Sequence, residues 1–443
     1  MPDYLFVTGK LAADSLKMTL GKMEPALDWE IEVLDISVAG LMNVEWIAQR
    51  LSNHRGCRQV MIPGLCSGDL LRIQERLGVS VVRGPNDLKD IPAFFGRGSV
   101  MEGFGDYRLK ILAEIVDAHS LSVRDIVARA EYYRKSGADV IDLGCPPMGG
   151  FPGVGKVVAE LKQRGFTVSL DSFDPDTILE ANEAGVDYLL SVNSANLHLA
   201  RELQCKVVVI PDSGEGLESL ERNFAQLAQW GVPCILDPIL DPLNFGFTEA
   251  LNRFFETRRR YPNAEMLMGV GNLTELVDAD SIGINALMAG VLTELNIDYV
   301  LTTEVISWTR WAVRELDLAR RLMHYASLNR LLPKNIDSRL ISIKDPPYEP
   351  YSEAELRRMH EQVKDKNFRI FTDSRTIYVF NRDVFVSGLD PTEIFARLKP
   401  QSPSHAFYLG RELERASLAV RLGKKYTQES NLQWGYLNER WDS

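Results

Sequence analysis

The chain has 443 residues, with 50 Lys plus Arg against 61 Asp plus Glu and a formal net charge of −11. That length suits two to four domains, and 45% hydrophobic with 25% charged residues argues against a long disordered chain. An acidic chain with no apolar run near the ~20 residues of a membrane helix, and no basic-then-apolar leader, predicts neither nucleic-acid nor membrane partners.

The five cysteines (Cys57, Cys66, Cys145, Cys205, Cys234) form no CxxC pair, which argues against a zinc knuckle or a disulfide framework. The sequence therefore reads as a soluble, reduced, cytoplasmic protein. Charge is unevenly spread: residues 330–443 carry 19 basic and 16 acidic side chains, leaving −14 on residues 1–329.

Residues 1–100 alternate strand-like and helix-like stretches. YLFVTG (4–9), WEIEVLDI (29–36) and QVMIPG (59–64) read as strands, separated by helical spacing over 11–23 and 43–51 and followed by a helix over 67–78. This predicts a small, Rossmann-like α/β domain with a parallel sheet. The Gly- and Pro-rich stretch 84–107 reads as a linker.

From about 108 to 328 the alternation is more regular. Strands are predicted at 111–118, 139–144, 167–171, 187–192, 206–211, 234–237, 266–270 and 298–303, each followed by a helix-like stretch. Eight strand–helix units in this length suit a (β/α)8 TIM barrel, with a doubly wound sheet as the alternative. Residues 330–443 break the pattern. NFRIFTD and TIYVFNRDVFVSG read as antiparallel strands and 404–426 as an amphipathic helix, giving an α+β appendage.

In such a barrel chemistry gathers at the carboxyl ends of the strands. Polar residues collect there: Glu114 and Asp117 on the first strand, Asp142 on the second, and Asp171 with Ser172 ending the third. Asn193 and Ser194 follow the fourth, Asp212 and Ser213 the fifth, Asp237 ends the sixth, Asn272 follows the seventh, and Thr302, Thr303 and Glu304 end the eighth. Any α/β loop carries Asp, Asn and Ser as turns and caps. That plain reading is weakest for Asp142 and Asp171, which interrupt apolar strands, because burying an unpaired carboxylate is costly. A ring of carboxylates and carboxamides without clustered histidines suits a ligand that donates and accepts hydrogen bonds, such as a pterin, a purine or a sugar.

Several segments at these positions carry a family resemblance. VIDLG (140–144), SLDSFDPDTILEANEAGVD (169–187), VNSAN (192–196), ILDPILDPLNFGF (235–247) and MGVGNLTEL (268–276), with AEIVDA (113–118) a looser match, occur in the order found in pterin-binding barrels. The chain thus resembles the group that includes dihydropteroate synthases and pterin-dependent methyltransferases. The resemblance implies pterin contacts from Asp171, Asn193, Asp237 and Asn272, with Asp142 and Asp117 as further candidates.

LFVTGKLA, GVGNLTELVDADSIGINALMAG, SHAFYLGREL and LQWGYL extend the likeness to dihydropteroate-synthase-related proteins of tetrahydromethanopterin biosynthesis, in archaea and in bacteria that oxidise one-carbon compounds. That resemblance implies a pterin substrate, a transferase joining 6-hydroxymethyl-7,8-dihydropterin diphosphate to a ribofuranosylaminobenzene phosphate, and a homodimer.

Two departures stand out. Gly271, Asn272 and Leu273 replace the Ser-Arg-Lys stretch of ordinary dihydropteroate synthases, and VLTTEV (300–305) replaces their Arg and His. Phosphate binding must then come from elsewhere, from Mg2+, or not occur. The candidates are Mg2+ or the loop GCPPMGGFPGVGK (144–156), through the backbone of Gly153 and Gly155 and the side chain of Lys156. Arg411, Lys424 and Lys425 form a second basic source. No residue is assigned as a catalytic base, because a neutral arylamine is already nucleophilic, and no residue set is assigned to a metal. The competing readings are a pterin-dependent methyltransferase and a non-catalytic pterin-binding protein.

GFPGVGKV imitates a phosphate-binding P-loop, but Val157 stands where Ser or Thr belongs. Cys145 reads as a packing residue, and RRR at 258–260 as the solvated end of a helix.

Overall fold

The computed structural model describes residues 2–21, 23, 26–95, 103–146, 149–334, 336–400 and 402–439. Two compact units divide the chain: Glu102–Leu340, and Met1–Met101 together with Ile341–Arg440.

The unit Met1–Met101 with Ile341–Arg440 contains two sheets. Strands β1 (Tyr4–Gly9), β2 (Trp29–Leu34), β3 (Gln59–Ile62) and β4 (Ser80–Arg83) form a parallel sheet in the order β2-β1-β3-β4. Strand β4 ends just before the stretch read as a linker, a short helix, Ile91–Phe94, falls inside it, and its residues 96–102 lie outside the described residues. The last hundred residues add a three-stranded antiparallel sheet, which is strands β13–β15 in chain order, over Arg369–Thr372, Ile377–Phe380 and Phe385–Gly388. They also add helices Glu353–Gln362 and Pro403–Leu422; the first begins at a capping box between Ser352 and Glu355. Leu11 packs against Leu356, Val363, Tyr378 and Phe380 in one apolar cluster, which joins the two ends of the sequence.

The unit Glu102–Leu340 is a (β/α)8 barrel. Its strands are β5 (Lys110–Ile115), β6 (Val140–Gly144), β7 (Val168–Asp171), β8 (Tyr188–Val192), β9 (Lys206–Val209), β10 (Cys234–Leu236), β11 (Leu267–Gly269) and β12 (Tyr299–Thr302). They run parallel in the order β10-β9-β8-β7-β6-β5-β12-β11, and a bridge between Leu236 and Met266 joins the two outer strands and closes the ring. Strand β5 ends two residues before Asp117, earlier than its hydrophobic run suggests.

Alternation sets the two faces of this sheet. Ile111, Ala113 and Ile115 pack outward against the helices, whereas Leu112, Val140, Leu190, Val208, Ile235 and Leu267 fill the barrel interior. Local caps place the helices. Ser122 accepts from Asp125 N at the start of Val123–Ser136, and Asp174 accepts from Thr177 N ahead of Pro175. At Gly137 the φ of +108° and the approach of Asp317, 2.5 Å from a built Cβ, both require glycine. No helix among the described residues is long and apolar enough to cross a membrane.

Candidate active site

One step beyond the apolar plug, the inward-facing positions change chemistry. Two residues after Leu112 comes Glu114, two after Val140 comes Asp142, two after Ser169 comes Asp171, and two after Ile235 comes Asp237. Register places Glu114 beside Asp142, Asp142 beside Ser169, and Gly144 beside Asp171. Three of the carboxyls therefore gather on the neighbouring strands β5, β6 and β7 at the carboxyl end of the barrel, and Asp237 joins them from the end of β10.

Above them lies a cavity of about 430 Å³, within the usual range of ligand sites. Glu114, Asp171, Asp237, Asn272 and Glu275 line it with the hydroxyl residues Ser191, Thr302 and Thr303, and Leu190, Val208, Leu267 and Leu301 form its apolar part. Its described lining contains no Lys, Arg or His.

Burial raises these acids. The Glu114 carboxyl is pushed up to about 7 by burial, then by the charge of Asp171. Burial pushes Asp237 up to about 7, against a hydrogen bond from Ile239 N to its Oδ1 at 2.9 Å. Asp171 is raised by burial and moderated by a hydrogen bond from Ser191.

Ser191 reaches this position because β8 departs from regular pairing between Leu189 and Val192, where Ser191 takes φ +64°. Asp142 is fully buried below the cavity; its Oδ1 accepts from Ser169 Oγ at 2.6 Å, and Oδ2 has no partner among the described residues. Burial, with Glu114 and Asp171 nearby, holds it far above the ordinary carboxylic range. The buried Thr302 and Thr303 hydroxyls are also without partners among the described residues.

Of the residues singled out in the sequence, Asp171, Asp237 and Asn272 meet at this cavity. Asn272 donates from Nδ2 to Leu240 O at 2.8 Å. Asp142 sits directly beneath. Asn193 does not line the cavity: its Oδ1 closes a local turn onto Ala195 N at 3.0 Å. Asp117 is exposed after the end of β5, with φ +50°, and its carbonyl accepts from Ser120 N at 2.9 Å.

The loop read as a phosphate site is organised differently. Gly155 N donates to Glu180 Oε1 at 3.1 Å and Phe151 N to Thr177 Oγ1 at 2.8 Å, so side chains already engage this helix start, and an anion there would meet the Glu180 carboxylate. Gly153, Gly155 and Lys156 are absent from the cavity lining, and Pro147 and Met148 of this loop lie outside the described residues.

The second basic source is also engaged. Lys424 is fully buried and donates to Ser342 O at 2.8 Å, and Lys425 pairs with Asp90 at 2.6 Å. Arg411 lies 3.7 Å from Glu412. Arg258, expected in solvent, instead caps carbonyls of Leu295, Ala264 and Asn296 at 3.0, 2.8 and 2.7 Å. The described residues contain no group of three or more His, Cys, Asp or Glu placed to hold a metal ion.

Glu114, Ser191 and Glu275 are cavity residues that the motif matches do not single out. Glu114 had a usable signal, its alternation with Leu112; the bulge that turns Ser191 inward has none in the sequence.

Comparison with known proteins places these observations among relatives. Residues 2–86 match a family model described as a family of unknown function (DUF6513), and residues 384–429 match one described as PterinBD-DUF4346. The uncharacterized protein MJ0107 of Methanocaldococcus jannaschii is 30% identical over 526 aligned residues, covering 97% of this chain and 98% of its own.

Among solved structures the chain is similar to Yersinia pestis dihydropteroate synthase with a pterin–sulfa conjugate, at 15% identity and TM-score 0.41, covering 50% of this chain and 94% of that one. It is also similar to Burkholderia cenocepacia dihydropteroate synthase complexed with 7,8-dihydropteroate, at 16% identity and TM-score 0.40, covering 51% and 94%.

Proposed function

We propose a function for a chain that belongs to the family of the uncharacterized protein MJ0107 of Methanocaldococcus jannaschii: a pterin-binding transferase of the dihydropteroate synthase type. The observation that carries this reading is the meeting of Asp171, Asp237 and Asn272 at one cavity. A pterin presents its 2-amino group and N3–H as donors. Ionised Asp171 and Asp237 are acceptors for such an edge, and the Asn272 carboxamide can serve a mixed edge.

The finer reading joins 6-hydroxymethyl-7,8-dihydropterin diphosphate to a ribofuranosylaminobenzene phosphate in the assembly of tetrahydromethanopterin. Here the barrel acts by positioning: the carboxyls hold the ring so that its exocyclic CH2 faces the arylamine nitrogen. That nitrogen attacks the CH2, the C–O bond to diphosphate breaks with its electron pair leaving on diphosphate, and the amine proton passes to solvent or to an ionised cavity carboxyl. Asp142 is supported as a buried partner beneath the ring site rather than a direct contact. No group of three or more His, Cys, Asp or Glu among the described residues is placed to hold a metal ion, and no step is assigned to Mg2+.

Calorimetry with 6-hydroxymethyl-7,8-dihydropterin tests the binding claim. Saturable binding to the native chain and at least a tenfold loss in a folded Asp237→Asn variant are expected; equal binding by both would refute it. Release of diphosphate from the two proposed substrates tests the reaction.

The cation-free lining favours one alternative, because a departing diphosphate gains no electrostatic stabilisation from it. Under that alternative the barrel binds a pterin that carries no diphosphate, either for methyl transfer or without chemistry. Pterin binding with no diphosphate release, and methyl transfer from a methylated pterin to a corrinoid protein, would identify the methyltransferase.

A further inference from the structure

The unit formed by Met1–Met101 and Ile341–Arg440 holds a cavity of its own, about 320 Å³ in volume. On one side Thr8, Ile62 and Gly84 bring the carboxyl ends of β1, β3 and β4 to it, and on the other lie Tyr348, Tyr351, Phe371 and Phe380. The order β2-β1-β3-β4 explains the opening. The chain leaves β1 for β2 on one side, then crosses to β3 and β4 on the other. In open parallel sheets such a reversal leaves a crevice beyond the strand ends, where ligands bind.

The charges around this crevice are already paired. Lys425 contacts Asp90 at 2.6 Å and Asp87 at 3.3 Å, and Arg369 contacts Asp365 at 2.7 Å. Polar aromatic groups are engaged too: Tyr348 donates to Lys424 O at 3.0 Å and Tyr426 to Glu412 at 2.8 Å.

Nothing here suits a phosphate. The helix that follows β1, Ala13–Gly21, carries Asp14 in its first turn, and Lys10 at the end of β1 pairs with Asp35. The remaining surface is mostly apolar and aromatic, with the polar side chains of Thr8 and Ser15 along the β1 side and those of Asn86, Glu349, Thr372 and Thr427 elsewhere on the wall. Thr8 Oγ1 makes a long, 3.5 Å contact with its neighbouring carbonyl, which leaves it capacity for a better partner.

We propose that this crevice is a second small-molecule site, for an uncharged, flat aromatic compound of one or two rings. It goes beyond the barrel reading and does not depend on it. Paired walls disfavour an anion, because a phosphate or carboxylate would face Asp87, and the described cations of the lining, Arg369 and Lys425, are already paired. The volume lies at the low end of ligand pockets, ~300–1,000 Å³, which matches a compact ring system rather than a dinucleotide.

The test uses the full chain and prodan, a neutral two-ring fluorophore whose emission shifts to the blue in apolar surroundings. Saturable binding of one prodan per chain is expected, weakened at least tenfold by Ser15→Trp and by Ala12→Phe, each of which fills the crevice from the β1 side, with thermal unfolding unchanged. The two-ring 5-dimethylaminonaphthalene-1-sulfonate, of similar size but anionic, is expected to bind at least tenfold more weakly than prodan. No saturation, wild-type affinity in either folded variant, or equal affinity for the anionic dye would overturn the assignment. The comparison of the two dyes uses the unaltered protein, so equal affinity overturns the assignment even if both variants fail to fold.

Discussion

The Glu114 carboxyl occupies the space that a side chain at Gly144 would need: a Cβ built there would lie 2.4 Å from Glu114 Oε1. The obstructing atom is the far end of a flexible side chain, so Gly144→Ala should move the carboxyl rather than the strand. The expected stability loss is under ~1 kcal/mol, with a change of about tenfold in 7,8-dihydropterin affinity, near 1.4 kcal/mol. A double-mutant cycle with Glu114→Ala, read by calorimetry and thermal unfolding, checks this. Additive effects on binding would show that the two positions do not communicate.

A second expectation concerns pH. Glu114 and Asp237 are each pushed up to about 7 by burial, so between the ordinary carboxylic range and pH 7 the folded chain binds more protons than the unfolded one. Their contribution to stability is complete below about pH 4 and is lost as pH rises through 7. For Glu114 the full shift corresponds to at most ~3 kcal/mol. Chemical denaturation at pH 5 and pH 8 should show the unliganded wild type losing more stability over that interval than Glu114→Gln. A pterin held by ionised carboxylates should in turn bind more tightly at pH 8 than at pH 5.

Much of this arrangement was legible in the sequence because a barrel strand obeys a short-range rule. Period-two alternation and glycine-ended helices located all eight strands, and the polar residue two steps beyond the apolar plug position lies at the cavity on β5 and β10. Positions decided by local turns were less legible. Asn193 and Asp117 sit in the right order along the chain, yet an Asx turn holds the first and a left-handed residue after β5 carries the second into solvent. Ser191 depends on a bulge, which composition does not announce. Arg258 sits within a run of three arginines that reads as solvated, but the carbonyls that hold it come from the 262–264 and 295–296 segments. The pairing of Leu11 with Leu356 and Phe380 joins residues more than three hundred positions apart, beyond any local pattern.

A third expectation concerns the closure of the barrel. Arg320 is 1% exposed and donates to Leu109 O, Gly137 O and Asp317 Oδ1, each at 2.7 Å, while its guanidinium lies 3.5 Å from the centre of the Tyr107 ring. It thus ties the last barrel helix to the start of β5 and to the end of the first barrel helix. Arg320→Met leaves the Asp317 carboxylate without this buried partner and should cost ~3–5 kcal/mol. Arg320→Lys should recover only part of that loss, because an ammonium cannot reproduce the planar fork. Urea unfolding monitored by circular dichroism measures both, and equal stability of the Lys variant and wild type would contradict this account.

The last expectation separates a charge from a shape at Asp142. Burial holds this carboxyl well above its ordinary range, and Oδ1 accepts from Ser169 while Oδ2 has no partner among the described residues. A carboxamide matches a neutral, protonated Asp142 in charge and nearly in volume and differs by one added donor. Asp142→Asn should therefore cost under ~1 kcal/mol and leave the pH dependence of stability near Asp142 flatter, because the proton that the native acid must retain no longer has to be bound. Asp142→Ala removes the acceptor for Ser169 and leaves a void, and should cost ~2–4 kcal/mol. If the Asn variant proved as damaged as the Ala variant at pH 7, the site would require a formal negative charge, and the carboxyls beneath the cavity would have to share fewer protons than their burial implies.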